Sequence, residues 1–234
     1  MPDHTVKAFD QELAGLKRAI GDMGRLAEDQ LTRALDALAR RDTGLAEQII
    51  AADQKIDDLE LAVEWQATQV IVKRQPMASD LRQIMVAIRI ASDLERIGDL
   101  AKNLAKRTRA LTDAIAPHAI TGVERMGELA LQQLKGVLDA YARDDAERAV
   151  EIWRSDEDID NVYNSVFREL LTYMMEDPRT IGQATHLMFA AKNMERIGDH
   201  CTNIAENIYY VVHGRPLAGE RPKGDETSTM PVDV

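Results

Sequence analysis

The chain of 234 residues is long enough for one large domain or two small ones, and its 45% hydrophobic and 29% charged residues are typical of a soluble folded protein. A formal net charge of −11 argues against a nucleic-acid partner, because proteins that bind a phosphate backbone concentrate Lys and Arg. Aromatic residues make up only 4%, beside 13 glycines and 7 prolines, which disfavours a strand-rich fold with many turns.

The single cysteine and the N-terminus indicate the cell compartment. Cys201 is the only cysteine, so no intrachain disulfide is possible and a reducing compartment is the simplest interpretation. The first residues, MPDHTVKAFDQELAG, lack the basic start and the apolar run of a signal peptide. No apolar stretch approaches the ~20 residues that are needed to span a bilayer. The sequence therefore predicts a cytoplasmic protein.

Three helices are predicted in the first half of the chain. Apolar residues between positions 13 and 38 recur every three or four residues, which is the spacing of one buried helical stripe. A second helix is predicted over residues 45–73 and a third over 79–108, because Pro76 interrupts the pattern between them. Ser79 is predicted to cap the third helix.

The second half of the chain repeats the first. ALDALARRD at 34–42 resembles VLDAYARDD at 137–145, an offset of 103 residues. LERIGDLAKN at 94–103 returns as MERIGDHCTN at 194–203, an offset of 100 residues. One gap of three residues, near the proline of each half, reconciles the two offsets. This ordered self-similarity indicates a tandem duplication.

The duplication predicts an all-α protein built from two tandem, similar three-helix bundles. We assign residues 8–112 to the first bundle and 116–213 to the second. The stretch 214–234 has no helical period and is rich in Gly, Pro and polar residues, so a disordered tail is predicted there. The helices predicted for the second bundle cover 119–143, 146–176 and 180–212, with a break at Pro178.

The repeated motif places polar side chains on one face of a helix. Glu95, Asp99 and Asn103 follow one another at i+4, a drift of only ~40° per step around the helix. The second half repeats this stripe as Glu195, Asp199 and Asn203. The glycine at 98 and at 198 costs roughly 1 kcal/mol relative to Ala in a helix, which predicts that something approaches the backbone closely there.

Hairpin geometry brings further carboxylates to the same height. Asp57 and Glu95 each lie 19 residues from Pro76, and Asp53 and Asp99 each lie 23 residues from it. Equal distances from the turn mean equal height in an antiparallel helix pair, within a few ångströms at ~1.5 Å per residue. The second half repeats the arrangement about Pro178 to within one residue, with Asp156, Asp160, Glu195 and Asp199.

Four carboxylates at one height need cations. They repel one another, raise each other's pKa and destabilise the fold unless positive charge neutralises them. Magnesium, manganese, calcium or iron ions accept such oxygen ligands, and a carboxylate can bridge two ions. The alternative is a solvated acidic face whose members pair with Arg96 and Arg196. Asp53 and Asp57 lie between apolar positions, whereas Glu95 and Asp99 face away from the apolar stripe of their helix. An open groove is therefore expected rather than an enclosed cage.

Several motifs together resemble the PhoU family. They are the two ERIGD motifs, KRQPMASDLR at 73–82 and TYMMEDPRTI at 172–181, and the resemblance covers the chain up to the tail. It implies two three-helix bundles, each with a multinuclear metal cluster on its surface. The implied ligands are Asp53, Asp57, Glu95 and Asp99 in one bundle and Asp156, Asp160, Glu195 and Asp199 in the other. Asn103 and Asn203 are added because they continue the same stripes.

The resemblance also implies a regulatory role. PhoU proteins negatively control the phosphate-starvation response by coupling a phosphate ABC transporter, through its ATPase subunit, to a membrane-bound sensor histidine kinase. Homodimers are common in the family, and the chain is expected to reach the membrane only through its partners. The expected cofactors are divalent or trivalent ions of magnesium, manganese, iron, zinc or calcium, with the identity left open.

Two other functions compete with this interpretation. One is a carboxylate-bridged multinuclear metal enzyme, an oxidase or hydrolase, in which Glu-x-x-His pairs would supply ligands. None of the histidines, at positions 4, 118, 186, 200 and 213, completes that spacing, and no Gly-rich phosphate loop is present. The other is a structural scaffold, for which metal removal would change nothing. We predict a metal-binding regulator that is not an enzyme.

Overall fold

A computed structural model describes residues 2–111 and 117–219 of the chain. Over these residues the backbone forms α-helices and one 3₁₀ turn (Pro178–Thr180), with no strand, which confirms the all-α prediction. The helices are α1 (Pro2–Arg40), α2 (Thr43–Ala52), α3 (Gln54–Arg74), α4 (Ser79–Thr108), α5 (Pro117–Arg143), α6 (Ala146–Arg154), α7 (Asp156–Glu176) and α8 (Ile181–His213).

The helices form two similar bundles in chain order. In the first bundle α1, α4 and the α2–α3 pair pack against one another, and in the second α5, α8 and the α6–α7 pair do the same. The apolar stripe predicted in α1 is buried, with Leu16, Ile20 and Met23 at most 2% exposed. The predicted boundary at 113–115 between the bundles lies outside the described residues.

The middle helix of each bundle is interrupted, which corrects the prediction of single helices over 45–73 and 146–176. The break falls at Asp53 in the first bundle and at Ser155 in the second. Asp53 keeps helical dihedral angles, φ −57° and ψ −36°, but its carbonyl accepts from the Ile56 N–H only three residues ahead. The Ser155 hydroxyl donates to the Ile152 carbonyl at 2.8 Å, a local bond that competes with the helix ladder.

The turn at Pro76 differs in detail from the prediction. Gln75 ends α3 in the left-handed region at φ 49°, and Ala78, at φ 50°, immediately precedes α4. Ser79 is therefore the first residue of the helix rather than its cap, and its hydroxyl bonds to the Asp80 side chain at 3.3 Å. The end of α3 is fixed to α1, because Arg74 donates two hydrogen bonds, of 2.8 and 3.0 Å, to Glu12.

The two bundles interlock where α1 crosses α5. A Cβ built on Gly24 would lie 2.3 Å from Cδ2 of Leu138, and one built on Gly127 would lie 2.1 Å from Cδ2 of Leu35. Side-chain atoms do not come so close to a Cβ, so a larger residue at either glycine would force the facing leucine to move. Gly24 and Gly127 are 103 positions apart, as are Leu35 and Leu138, so the two contacts are copies of each other.

A polar contact joins the bundles where α4 packs against α8. Nδ1 of His200 lies 2.9 Å from Oδ1 of Asp93, and the Asn203 amide donates to the same oxygen at 3.3 Å. The two helices that carry the repeated acidic motifs are therefore neighbours at the centre of the molecule.

One residue at the start of the predicted tail contacts the body of the protein. Gly214 ends α8 at φ 70°, and Leu217 packs, half-buried, against the hydrophobic core. Residues 215–219 form no helix, and residues 220–234 of the predicted tail lie outside the described residues. No helix in the described part of the chain is long and apolar enough to cross a membrane.

Candidate functional site

Each bundle places one aspartate in the buried seam of its interrupted helix. The buried residues of α2 and α3 recur at three and four residues through the break, and Asp53 occupies one of these core positions. Asp156 occupies the same position in the second bundle. The first seam is Ala46, Ile49, Asp53, Ile56, Val63, Ala67 and Val70, and the second is Ala149, Ile152, Asp156, Ile159, Tyr163, Val166 and Leu170. A carboxylate is thus held at the packing surface between two helices.

The four carboxylates predicted for the first bundle lie near enough for their charges to act on one another. Burial, followed by the charges of Asp53 and Asp99, raises the pKa of Asp57. Burial, followed by the charge of Asp99 and partly opposed by Arg96, raises the pKa of Glu95. Oε2 of Glu95 is buried and accepts no hydrogen bond, although Arg96 Nε lies 3.3 Å away. We call Asp53, Asp57, Glu95 and Asp99 the first acidic site.

A lysine that the spacing of the acidic residues did not predict, Lys102, lies inside the first acidic site. The Lys102 ammonium donates to Oδ1 of Asp99 at 2.5 Å and also to Oδ2 of Asp53, so it joins α4 to the helix break. Burial alone would lower the pKa of Lys102, but the hydrogen bonds and charges of Asp53 and Asp99 outweigh that effect and raise it. Lys102 thus stays charged and supplies one positive charge to the four carboxylates.

The second bundle holds a more deeply buried set, which we call the second acidic site: Asp156, Asp160, Glu195 and Asp199. The first three are buried and Asp199 is half-buried. Burial, with the nearby charges of Asp199 and Asp160 and against the effect of Lys192, raises the pKa of Glu195 to about 7. Lys192 Nζ lies 3.0 Å from Oε1 of Glu195, but the buried Oε2 has no hydrogen-bond partner.

The glycine of each motif allows the two helices of a site to approach. A Cβ on Gly98 would lie 2.9 Å from Cδ1 of Ile56 and 3.7 Å from Oδ1 of Asp53. A Cβ on Gly198 would lie 3.0 Å from Cδ1 of Ile159 and 3.3 Å from Oδ1 of Asp156. The predicted close approach is therefore that of the neighbouring helix, which brings its aspartate to the motif.

Two glutamines that the sequence reasoning missed border the sites. Gln30 donates to Oδ1 of Asp53 at 2.7 Å and to the Gly98 carbonyl at 3.1 Å. Gln133, 103 positions later, donates instead to the Ser155 carbonyl at 3.2 Å, and its buried Oε1 has no hydrogen-bond partner. Their recurrence at the repeat offset was a signal in the sequence that could have identified them.

The two predicted amide ligands are Asn103 and Asn203, and they differ in their contacts. The Asn203 side chain donates to Asp93 of the other bundle, so its amide group belongs to the joint between α4 and α8. Lys102, three residues after Asp99 rather than four, is the residue that continues the first site, and Asn103 beside it has no hydrogen bond to the carboxylates. An extension at i+4 drifts away from the facing helix, whereas i+3 returns toward it.

The donor atoms suit hard cations, but they are not arranged as a closed cage. Within residues 2–111 and 117–219, no three His, Cys, Asp or Glu side chains converge as a ready chelating group. The carboxylates of each site instead lie on the interrupted middle helix and on the helix that carries the repeated motif. Buried Oε2 atoms of Glu95 and Glu195 without hydrogen-bond partners are the atoms that a bound cation would satisfy, because buried carboxylate oxygens are otherwise paired.

The family model described as "PhoU domain" matches the chain twice, at residues 20–108 and 123–208. Each acidic site therefore lies within one copy of the domain. The chain belongs to the PhoU family. Two copies of the PhoU domain on an all-α backbone also confirm the duplication and the tandem architecture.

Named relatives of the PhoU family extend over nearly the whole chain. This chain is 54% identical to the "Phosphate-specific transport system accessory protein PhoU homolog" of Rhizobium meliloti, and the alignment covers 97% of this chain and 96% of that protein. It is 38% identical to the "Phosphate-specific transport system accessory protein PhoU" of Escherichia coli, covering 97% and 93%. These proteins are named as accessory proteins and not as enzymes, which confirms the prediction that the chain is not an enzyme.

Solved structures of PhoU proteins share the fold. The structure of PhoU from Pseudomonas aeruginosa is 38% identical, with a TM-score of 0.85 over 88% of this chain and 100% of that chain. The phosphate transport system regulatory protein PhoU from Streptococcus pneumoniae is 31% identical, with a TM-score of 0.84 over 90% and 99%.

Proposed function

We propose that the chain is a metal-binding regulator attached to a phosphate-specific transport system. The likeness to accessory proteins of such a system, over at least 97% of this chain for two of them, supports the accessory role. The observation that carries the metal-binding part is the pair of acidic sites, each with a buried glutamate oxygen that lacks a hydrogen-bond partner. The chain would regulate transport and catalyse no reaction.

The residues of each site have separate roles in this proposal. Asp53, Asp57, Glu95 and Asp99 would hold cations in the first bundle, and Asp156, Asp160, Glu195 and Asp199 in the second. A bound ion supplies positive charge to carboxylates that repel one another. The apolar seams of the chain would shield the carboxylate oxygens partly from solvent. The hydrogen bond from Gln30 would orient Asp53.

Metal occupancy would couple the acidic sites to partner binding. Each site joins the interrupted middle helix to the helix that forms the joint between bundles, so neutralising its charge favours the packed form of both. We propose that this packed form restrains phosphate uptake by docking, in the cytoplasm, on the ATPase subunit of a phosphate ABC transporter. The same form would signal to a sensor histidine kinase and so repress the phosphate-starvation response.

The outer face of α3 supports the proposal of a homodimer. Leu61, Trp65 and Val72 form one apolar stripe and are 62%, 66% and 68% exposed. The second bundle has Asn164 and Arg168 at the positions equivalent to Leu61 and Trp65, so the bundle fold does not require the stripe. A contiguous exposed apolar stripe is typical of an interaction surface.

A second copy of the chain fits this stripe. If two α3 helices pack antiparallel about an axis between Thr68 and Gln69, Trp65 of each copy faces Val72 of the other. The same register places Glu64 opposite Lys73, so charges of opposite sign flank the apolar contact. Val72→Glu should convert the dimer to a monomer in sedimentation, whereas Met175→Glu, the equivalent exposed position of the second bundle, should not. Equal effects of the two changes would refute this interface.

Single-site variants test the metal part of the proposal. Asp99→Asn should lower the metal content of the first site and leave the second largely loaded, and Asp199→Asn should do the reverse. Elemental analysis of purified protein measures how much metal is bound, and anomalous scattering from crystals shows at which site it is bound. Two results would contradict the metal-binding proposal. One is loss of metal from both sites after either change. The other is absence of metal from the wild type after growth in rich medium and reconstitution with Mn²⁺.

The regulatory part is tested separately in cells. In a bacterium that lacks its own PhoU protein, expression of the chain should lower a phosphate-starvation reporter in phosphate-rich medium. The double variant Asp99→Asn, Asp199→Asn should repress less at equal protein level. A wild-type chain that leaves the reporter unchanged would defeat the regulatory proposal without affecting the metal measurement.

A further inference from the structure

The second acidic site is bordered by a buried glutamine whose oxygen atom has no partner. Gln133, on α5, is 6% exposed, and its Oε1 accepts no hydrogen bond from the part of the chain that the structure describes. Buried amide oxygens are paired in most proteins, because burial without a donor is unfavourable. An unpaired oxygen at this depth therefore points to a bound ion, a ligand or an ordered water.

The unpaired oxygen of Gln133 faces the repeated motif of α8. A Cβ built on Gly198 would lie 3.3 Å from Oε1 of Gln133 and 3.3 Å from Oδ1 of Asp156. Gly198 lies between Glu195 and Asp199 in the motif, and Oε2 of Glu195 is a second buried oxygen without a hydrogen bond. A third helix, α5, thus brings an oxygen atom to the site that α7 and α8 form.

The contacts of the amide nitrogen determine which end of Gln133 faces the site. Nε2 donates to the Ser155 carbonyl at 3.2 Å and lies 3.5 Å from the Ser155 hydroxyl. If the amide were turned over, its oxygen would lie against that carbonyl, and two acceptors at 3.2 Å repel each other. The helix break, where Ser155 is located, therefore holds the oxygen of Gln133 toward Gly198.

The first acidic site uses the equivalent glutamine in the opposite way. Gln30 directs its amide nitrogen into the site, where Nε2 donates to Oδ1 of Asp53 at 2.7 Å and to the Gly98 carbonyl at 3.1 Å. The residue equivalent to Ser155 is Ala52, 103 positions earlier, which has no hydroxyl group. One glutamine thus presents hydrogen-bond donors to its site, and the other presents an acceptor.

Water is the competing partner for the oxygen of Gln133. The glutamine lines a cavity of about 210 Å³ beside the helix break, together with Ser155 and Ile159. A water both donates and accepts hydrogen bonds, whereas a cation binds acceptors only. Oε1 of Gln133 and the ionised carboxylates of the site are all acceptors, which is the donor set of a cation site.

We propose that Gln133 is a cation ligand, a neutral oxygen that α5 adds to the carboxylates of the second acidic site. The inference rests on the proposed metal binding and assigns to it a ligand that is neither acidic nor part of the repeated motif. A carbonyl oxygen beside carboxylates favours hard ions such as Mn²⁺, Mg²⁺ or Ca²⁺ over ions that prefer thiolate or imidazole. Gln30, whose nitrogen is turned to Asp53, has no such role in the first site.

Calorimetric titration with Mn²⁺ measures the contribution of Gln133. The titration uses the full chain with Asp57→Asn and Glu95→Gln, which remove the first site so that only the second binds. Gln133→Leu removes the oxygen, whereas Gln133→Glu keeps an oxygen and removes the amide nitrogen. Gln132→Leu, at the exposed neighbouring position, is the matched control.

Gln133→Leu should weaken Mn²⁺ binding at least tenfold, and Gln132→Leu should leave it unchanged. Gln133→Glu should bind Mn²⁺ at least as tightly as the unchanged second site, because a carboxylate oxygen replaces the amide oxygen. Without metal, Gln133→Leu should melt no lower than the control, since it buries no unpaired oxygen and the Ser155 carbonyl keeps its hydrogen bond from the Asp158 N–H. Wild-type crystals soaked in Mn²⁺ should show an ion in contact with Oε1 of Gln133.

Three results would overturn the inference. The first is an affinity for Mn²⁺ that Gln133→Leu leaves unchanged, and the second is an equal loss with Gln133→Leu and Gln133→Glu, which would make the role structural. The third is a soaked wild-type crystal in which Oε1 contacts only water while the ion lies elsewhere in the site. In each case the second site still binds Mn²⁺, so the metal-binding proposal survives. If that site binds no Mn²⁺ before Gln133 is changed, metal binding itself fails and the role of Gln133 fails with it.

Discussion

The buried Glu195 predicts an unusual stability profile for the metal-free protein. Its pKa in the folded state is about 7, against an ordinary value of 4.5. Because the raised value means that the folded state disfavours the charged form, ionisation destabilises the protein. The penalty is absent below pH 4.5, grows between 4.5 and about 7, and is complete above 7. Metal-free protein should therefore lose stability from this residue as the pH rises through that window.

The size of the effect follows from the two pKa values. Their difference corresponds to about 3 kcal/mol, or about 2 kcal/mol after allowance for solvent screening. Glu195→Gln removes the charge and should stabilise metal-free protein by that amount at pH 8. A protein of this size gains roughly 2–4 °C in Tm per kcal/mol, so the expected gain is roughly 4–8 °C. At pH 4 wild type and variant should melt together.

Thermal unfolding followed by circular dichroism, in chelator at pH 4, 6 and 8, measures this prediction. Glu64→Gln, an exposed glutamate in the middle of α3, is the control and should change the stability by no more than about 0.5 kcal/mol at any pH. With Mn²⁺ present the sign should reverse, because glutamine is a poorer ligand. A Glu195→Gln variant that is no more stable than wild type at pH 8 in chelator would refute the reasoning.

Two further predictions concern packing and metal removal. Gly127→Ala forces a methyl group onto Leu35 and should destabilise by about 1–3 kcal/mol in denaturant unfolding, whereas Gly182→Ala, which has no atom within 4 Å of the added carbon, should be neutral or stabilising. Equal stabilities of these two variants would contradict the interlock between α1 and α5. Chelation of the loaded wild-type protein should lower its Tm, since the carboxylates then repel one another, and an unchanged Tm in calorimetry would count against ions at the acidic sites.

Periodicity predicted the bundles but not the breaks in the middle helices. The apolar seam runs through Asp53 and Asp156 without a change of spacing, so the pattern alone indicates one continuous helix on each side. The interruption depends on single hydrogen bonds, such as that of the Ser155 hydroxyl to Ile152, which hydrophobic spacing does not report. Pro76 and Pro178, by contrast, act through their own covalent geometry, and the turns fall beside them.

The sequence predicted the carboxylates of the candidate sites, but it did not predict that Lys102 lies among them. Equal distances from a turn are a property of any helical hairpin, so the height of Asp57 and Glu95 could be worked out from the sequence. Whether Lys102 or Asn103 faces the neighbouring helix depends on the rotation of α4 about its axis. The spacing of Glu95 and Asp99 does not determine this rotation closely enough to distinguish the two residues. The contact of Gly127 with Leu35 depends in the same way on how the bundles cross.

The paired glycine and leucine contacts between α1 and α5 bear on the ancestry of the chain. Each half of the chain contributes one glycine and one leucine to the joint, in the same two positions. A gene that encoded one half alone would therefore specify a subunit able to form a symmetric dimer with a second copy of itself. Fusing two such genes would preserve that association in a single polypeptide and release each half from the need to stay identical. Lys102 in the first half and Thr202, 100 positions later in the second, are then a divergence that a symmetric pair of subunits is unable to express.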